Sequence, residues 1–490
     1  MPTFPIGSHQ NPLFHEKLAL KALFFLRFGI TTAMAQETIL RSPDFRSAPN
    51  WAAKANRNPS IAEKTTTQDF GYSDTNNAGG QSSGEIGGRI SRSITPATYA
   101  IPITPRTLND NLVASGKFAV TKAEGASGVL IGWFNSTKSL GWRTPHSVVV
   151  RLDGNGGKYW VFFEYGTRNW KTGSGHTFEG KRYQTTKTPP EPADGTIHTW
   201  QLIYDPGSNQ GHGEMVFIMD GKTYRTSLKP GHKLDGATFD RFGLINQQTA
   251  GKGLEVYFDN LNVDGILHDF DVDPGWEGNG NRVKFQDKEI RPYHNFGYSS
   301  TCYASDEMGE IGGLIWRIEE NDLQNAGYYA DDIGTLTMDD HLEASGTVSM
   351  IRAAADSAVL IGWFNSETHI GTPPINFIGV MIEGPSQIGH YFRPIYANSK
   401  DANGVSEQGP IIRANANRHN WTLEYNPRAN SGTGNIILTF DDKTVSLPLK
   451  SDAKSDLAIF NRFGLLSYQR GGHYLDIYFD NLTYTAKKTP

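Results

Sequence analysis

The sequence repeats itself once, and this repeat limits the fold more than any other feature. Gln-Asp-Phe-Gly-Tyr-Ser at 68–73 returns as His-Asn-Phe-Gly-Tyr-Ser at 294–299, and Gly-Glu-Ile-Gly-Gly at 84–88 returns at 309–313. Val-Leu-Ile-Gly-Trp-Phe-Asn-Ser stands at 129–136 and at 359–366. Arg-Phe-Gly-Leu stands at 241–244 and 462–465, and Tyr-Phe-Asp-Asn-Leu at 257–261 and 478–482. Fainter echoes extend the match forward. Asp44, Phe45, Pro49, Trp51, Asn56 and Arg57 return as Asp269, Phe270, Pro274, Trp276, Asn281 and Arg282. Two long copies with few length changes describe two domains; a solenoid would need more and shorter repeats. The limits read from the repeat are 36–265 for copy one and 266–490 for copy two, joined by a short linker that predicts a fairly rigid pair.

A chain of 490 residues is too long for one core and suits such a pair. Abundant glycine, 11% aromatic and 20% charged residues describe a loop-rich β protein. A net charge of −5 leaves no basic footprint for nucleic acid. The stretch 18–35 is fairly apolar and ends in Ala33-Met34-Ala35 before Gln36, the pattern of an export signal over 1–35. Lys21 and Arg27 interrupt it, and the competing reading is an amphipathic N-terminal helix. No other stretch approaches the ~20 apolar residues of a membrane span. Cys302 is the single cysteine, so no disulfide forms within the chain. A monomer that is secreted, or periplasmic or at the cell surface, is expected.

Apolar residues alternate with period two at 147–152, 159–165, 199–204, 214–219 and 254–261. Copy two repeats the layout at 380–383, 421–425, 435–440 and 475–482. Turn chemistry stands between the runs: Asp153-Gly154, Asp205-Pro206-Gly207 and Asp220-Gly221. No amphipathic helix is evident beyond residue 40. Many short strands with regular turns predict an all-β antiparallel sandwich or barrel.

Four patterns carry a family resemblance: the Gly-Trp-Phe-Asn strand, His-x-Trp-x-Leu-x-Tyr-x-Pro from His198, the Asp-Gly hairpin, and Glu-Val-Tyr-Phe-Asp-Asn-Leu from Glu255. Together they resemble concanavalin A-like (laminin G-like) jelly-roll domains, in two tandem copies. The resemblance implies a sugar chain bound across a concave sheet face. It does not choose among lectins, glycan-binding modules, glycoside hydrolases and polysaccharide lyases, which share that fold.

Catalytic patterns of such folds are weak here. The nearest approach to Glu-x-Asp-x-Glu is Glu255-Val-Tyr257-Phe-Asp259, with tyrosine at its centre. Its outer carboxylates lie roughly 13 Å apart by strand rise, too far for a glycosidase pair. Asp259 and Asn260 are candidate ligands for a structural Ca²⁺, and no other cofactor is required. Neither an Arg-x-Glu-x-Arg strand nor a Gln-x-His strand, the lyase patterns, is evident. Glu85 and Arg92 return as Glu310 and Arg317, which suits a sugar-binding pair or an ion pair that pins the first strand. The glycines beside Glu85 would admit backbone or ligand.

The copies differ most in their loops. Copy one carries Trp142, Arg143 and His146, then Arg151 where copy two has Met381. It continues with Glu164, Tyr165, Arg168, Trp170 and Lys171, and enters a longer segment holding His176, Lys181, Arg182 and Tyr183. Aromatic rings stack on pyranose faces, and guanidinium groups pair with carboxylates or sulfates. Trp142, Arg168, Trp170, Lys171 and Asn135 are therefore candidate binders of a polysaccharide, including an acidic one. Asn135 also suits a turn that closes its strand. If the chain is a polysaccharide lyase or glycoside hydrolase, Glu85, Arg92, Arg143, Arg151, His198 and Tyr165 are the candidate catalytic residues. An arginine would neutralise a uronate while tyrosine or histidine removed the C5 proton. His198, repeated as His419, also suits a structural place at a strand entrance. The remaining reading is a structural or adhesion spacer.

Overall fold

The computed structural model describes residues 37–57, 64–139, 141, 144–179, 190–287, 294–319, 322–354, 356–384, 389–398, 402–454 and 458–488. The stretch read as an export signal, and also Trp142, Arg143, Lys181, Arg182 and Tyr183, lie outside them. The described chain from Thr38 onward folds as four antiparallel sheets, with one short α-helix, His232–Asp235. This is the all-β architecture that the period-two runs predict. Alternation explains the packing: in Ser147–Gly154, Val148, Val150 and Leu152 enter the core while Val149, Arg151 and Asp153 face the other way.

Two sheets form the first sandwich. One runs from edge to edge as Lys222–Ser227, Glu214–Met219, Ile197–Asp205, Leu112–Ala123, Gly253–Val263, Glu85–Ser91, Lys64–Ser73 and Arg282–Asp287. The other runs Thr172–His176, Lys158–Gly166, Ser147–Gly154, Ser127–Phe134, Thr238–Asn246, Thr98–Thr107 and Glu277–Asn279. One apolar cluster, with Trp133, Phe163, Phe217 and Phe258, joins them. A second pair of sheets around Trp363, Phe392, Phe463 and Phe479 repeats this strand order. A small cluster of Ala250 with Leu314, Trp316, Ala354 and Tyr474 links the two sandwiches.

The sheets do not respect the limits read from the repeat. Thr38–Arg41 pairs with the last strand, Tyr474–Lys487, and Ala52–Lys54 pairs with Tyr328–Thr337. Phe45 and Trp51 are buried in the second core. Conversely Ile266–His268, Glu277–Asn279 and Arg282–Asp287 pair with strands of the first sandwich, whose core takes Phe270 and Trp276. The first sandwich is thus one continuous stretch, 64–287, inserted into a second sandwich made of 38–57 and 294–488. The segments dock alike. Asn56 Nδ2 donates to Phe296 O at 2.5 Å, and Asn281 Nδ2 to Phe70 O at 2.5 Å. Arg57 reaches Tyr298 O and Arg282 reaches Tyr72 O, both at 2.6 Å. Repeated docking residues let either segment fit either body by side-chain chemistry.

Candidate functional site

The first sandwich gathers two of the predicted residues, Arg92 and Arg151, into one charged cluster on the outer face of its second sheet. Arg151 NH1 donates to Asp153 Oδ2 at 2.5 Å, and its Nε donates to Glu164 Oε2 at 3.0 Å. Arg92 NH2 bonds Asp153 from the other side. The Arg151 guanidinium lies 4.0 Å from the centre of the Phe162 ring. Burial pulls this guanidinium down, but Glu164 and Asp153 outweigh it and hold the group above the usual arginine value. Asp153 and Glu164 were not singled out by spacing, because their partnership runs across two strands. The four groups are 6–21% exposed in their side chains, and two cations balance two anions. Each carboxylate already holds a guanidinium, so none of the four is a free acid, base or uronate clamp.

The second sandwich builds the same feature by a different route. Arg151 stands opposite Phe162 across the strand pair, and Met381 stands opposite Arg393. Arg393 bonds Glu383, the counterpart of Asp153, and Arg317 approaches Glu383 at 3.8 Å. The guanidinium has moved to the facing strand without leaving its place in the sheet. Met381 is therefore not the loss of a ligand residue that one strand alone suggests.

Other predicted residues are occupied by the scaffold. Glu85 is fully buried, and its carboxylate accepts from Thr75 Oγ1 (2.5 Å), Asn77 N (2.9 Å), Asn77 Nδ2 (2.8 Å) and Ala78 N (2.7 Å). It staples the 75–78 turn and makes no ion pair with Arg92. Seven residues along a strand is about 23 Å, and the odd number puts the two side chains on opposite faces. Glu310 staples 301–304 in the same way. The neighbouring glycines serve strand packing: a Cβ on Gly87 would meet Val256 O at 2.1 Å, and one on Gly88 would meet Asp69 O at 2.3 Å. Tyr165 points into the core, with its hydroxyl 2.9 Å from His232 Nδ1 and accepting Lys229 N at 3.2 Å. Burial pushes this hydroxyl up to about 12, which removes it as a base near neutral pH. His198 Nδ1 lies 2.7 Å from Asp220, whose other oxygen accepts Thr199 N at 2.9 Å. This ties a hairpin together, and His198 Nε2 is buried. Asn135 Oδ1 accepts Thr137 N (3.2 Å) and Lys138 N (3.0 Å) while Nδ2 donates to Thr238 (3.2 Å), so the amide closes its turn.

Asp259 is also buried. Its Oδ1 accepts Asn260 N at 2.6 Å, and Oδ2 sits against Gly80. Asn260 holds the left-handed φ of 50°. Burial first, then Glu85, push the Asp259 carboxyl above the ordinary range. Among the described residues no group of three His, Cys, Asp or Glu side chains is placed to hold a metal ion.

Residues 135–139 and Gly141 fold back over the outer sheet face. Val129 pairs with Asn246 and Phe134 with Arg241, at opposite ends of the two strands. Yet Gln248 Nε2 donates to Ser139 O at 3.2 Å, and Gly141 N donates to Gln248 Oε1. That contact spans the sheet, and Leu130, Phe134, Val149 and Ile245 beneath it are buried. At this place the outer face is covered by the chain itself.

Exposed candidates remain on one loop. Asp235, in the single helix, accepts Thr167 Oγ1 (2.5 Å), Asn169 N (2.9 Å) and Asn169 Nδ2 (2.8 Å), and Lys171 Nζ lies 3.7 Å away. Arg168 N donates to Gly236 O at 2.7 Å. Pinned in this way, the 167–171 loop turns the Arg168 side chain out to solvent. It also leaves Trp170 half-buried at a φ of 63°, its ring edge against Gly141. Asp235, distant in sequence and outside any motif, is the residue that sequence reasoning missed.

No protein-family model matches the chain, and no curated protein matches it. Among solved structures, the LG4-5 domains of the mouse laminin alpha1 chain align over 82% of this chain and 90% of their own, with 11% identity and a TM-score of 0.24. Peanut lectin covers 40% of this chain and 92% of its own, with 14% identity and a TM-score of 0.22. A GH43 protein of Bacillus licheniformis covers 70% and 66%, with 9% identity and a TM-score of 0.25. Likenesses of this strength fix neither a ligand nor a reaction. No helix among the described residues is long and apolar enough to cross a membrane.

Proposed function

We propose that this chain is an exported carbohydrate-interacting protein that binds a polysaccharide through the loops of its first sandwich. The observation that carries the reading is the 167–171 loop. Asp235 fixes its backbone, so the exposed Arg168 and the half-buried Trp170 are carried on one held loop with little ordering left to do on binding. A scaffold has no need of an exposed guanidinium beside a half-exposed indole there. The indole supplies a stacking face, and the guanidinium supplies paired donors for hydroxyl, carboxylate or sulfate oxygens. Binding is preferred to catalysis because the charged groups that converge are already neutralised by one another.

The test uses the whole chain, since the 36–265 stretch would lack the segments that complete its sandwich. Affinity electrophoresis against neutral and acidic polysaccharides should show retardation that Trp170→Ala and Arg168→Ala each weaken severalfold. New absorbance at 235 nm or new reducing ends would replace binding with lyase or hydrolase activity. Unretarded migration on every polysaccharide would leave the spacer reading.

A further inference from the structure

The second sandwich carries an open cleft of about 690 Å³, and its size lies within the range of small-molecule sites. It lies between the 302–303 turn, the start of the strand Arg418–Asn426, and the hairpin turn at Asp441. The two copies differ here residue by residue. In copy one Asn77 turns inward and gives its amide to Glu85. At the same step after the stapled threonine, copy two has Tyr303, which gives Glu310 only its backbone N–H. The Tyr303 ring lies outside, 41% exposed, with its centre 4.7 Å from that of Tyr478.

The cleft is stiff. Glu310 holds the turn from within. From outside, Arg418 donates to Tyr303 O and Cys302 O, each at 2.9 Å, and bonds Asp306. Ile197 occupies the Arg418 position in copy one. His419 lies 2.7 Å from Asp441 and stacks on Phe440 with 4.7 Å between centres. Its side chain is 19% exposed where that of His198 is 6% exposed, so the imidazole is more open to solvent in copy two, beside a carboxylate that is exposed in both. Asn417 is exposed on the same rim.

Resting on the glycan reading above, we infer that this cleft is a second saccharide site and that it takes a neutral pyranose of a glycan chain. Tyr303, backed by Tyr478, offers a flat face to the C–H side of a ring. Asn417, His419 and Asp441 offer donors and acceptors to its hydroxyls. Charge selects against a uronate or sulfate: Arg418 is matched by Asp306, and Asp441 adds a further negative charge. A site so placed would give the chain a second grip on a polymer already held by the first sandwich.

The experiment is a calorimetric titration of the whole chain with neutral hexasaccharides of β-linked glucose, mannose and xylose, beside hexagalacturonate. Tyr303→Asn installs the residue that copy one uses at this turn, so the fold should tolerate it. A neutral hexasaccharide should bind the native chain and bind Tyr303→Asn at least tenfold more weakly. Equal affinity for Tyr303→Asn, or no neutral hexasaccharide bound, would overturn the inference. Hexagalacturonate binding lost only in Trp170→Ala would then leave the first-sandwich reading intact, and no binding of any probe would remove both.

Discussion

The backbone N–H of Trp316 donates to His294 Nδ1 at 3.2 Å, and the copy-one counterpart is the N–H of Ser91 donating to Gln68 Oε1 at 2.8 Å. An imidazole and an amide thus do one job. His294 Nε2 lies 2.9 Å from Asn325 O, and Gln68 Nε2 donates to Ser91 O at 2.7 Å. To accept at Nδ1 and donate at Nε2, the imidazole must be neutral.

A pH dependence follows. Burial lowers the His294 pKa to about 4, against about 6.5 in an unfolded chain. Between those values the unfolded state binds the extra proton, so stability falls as pH drops from about 6.5 toward 4 and this contribution levels off below. The loss amounts to about 3 kcal/mol at most. His294→Gln should fold normally at pH 7.5 and lose less stability than the native chain at pH 4.5. Urea midpoints at the two pH values measure it, and identical losses in both proteins would contradict it.

Glu85→Gln tests a scaffold role for a residue that looks catalytic in the sequence. One oxygen of the stapling carboxylate would become a donor facing another donor. Stability of the 64–287 sandwich should drop by about 2 kcal/mol, read by denaturant titration. A catalytic residue would show the opposite pattern, with stability unchanged and activity gone.

The exchange of segments makes a prediction with a direction in space. Trp51 packs on Phe45, Tyr329 and Tyr484, all in the second core. Trp51→Ala should cost about 3 kcal/mol and should loosen Leu342–Ala353 and Tyr474–Lys487, leaving Leu112–Ala123 protected. Trp276→Ala should do the reverse. Hydrogen exchange by mass spectrometry resolves the strands. Loosening of Leu112–Ala123 by Trp51→Ala would mean that the repeat limits, and not the sheet pairing, define the cooperative bodies.

Much of the fold is legible in the sequence because identical runs mark the repeat and period-two runs mark the strands. The segment exchange is not, since Phe45, Trp51, Asn56 and Arg57 share their chemistry with Phe270, Trp276, Asn281 and Arg282. Repetition shows which residues are equivalent and not which body each one enters. At the candidate site, strand alternation alone would have separated Glu85 from Arg92. Asp235 left no local signal, since it acts on a loop more than sixty residues earlier by hydrogen bonds that only the tertiary fold creates. Tyr303 was open to detection by setting it against Asn77 in the other copy.

The moved guanidinium gives the last prediction. In the first sandwich Arg151→Met removes the cation shared by Asp153 and Glu164 and leaves Asp153 to Arg92 alone. Breaking one partner of a buried ion pair costs about 3–5 kcal/mol, because the other charge stays buried. Phe162→Arg restores a guanidinium from the facing strand, as Arg393 does opposite Met381. The double variant should therefore recover the Asp153 share of the loss, while Phe162→Arg alone should destabilise by crowding a second cation against Arg151. A double-mutant cycle by denaturant titration reads the coupling, which should be favourable by about 1–3 kcal/mol. Strictly additive effects would mean that the two positions do not serve one charge site, and that the resemblance between Arg151 and Arg393 is one of position alone.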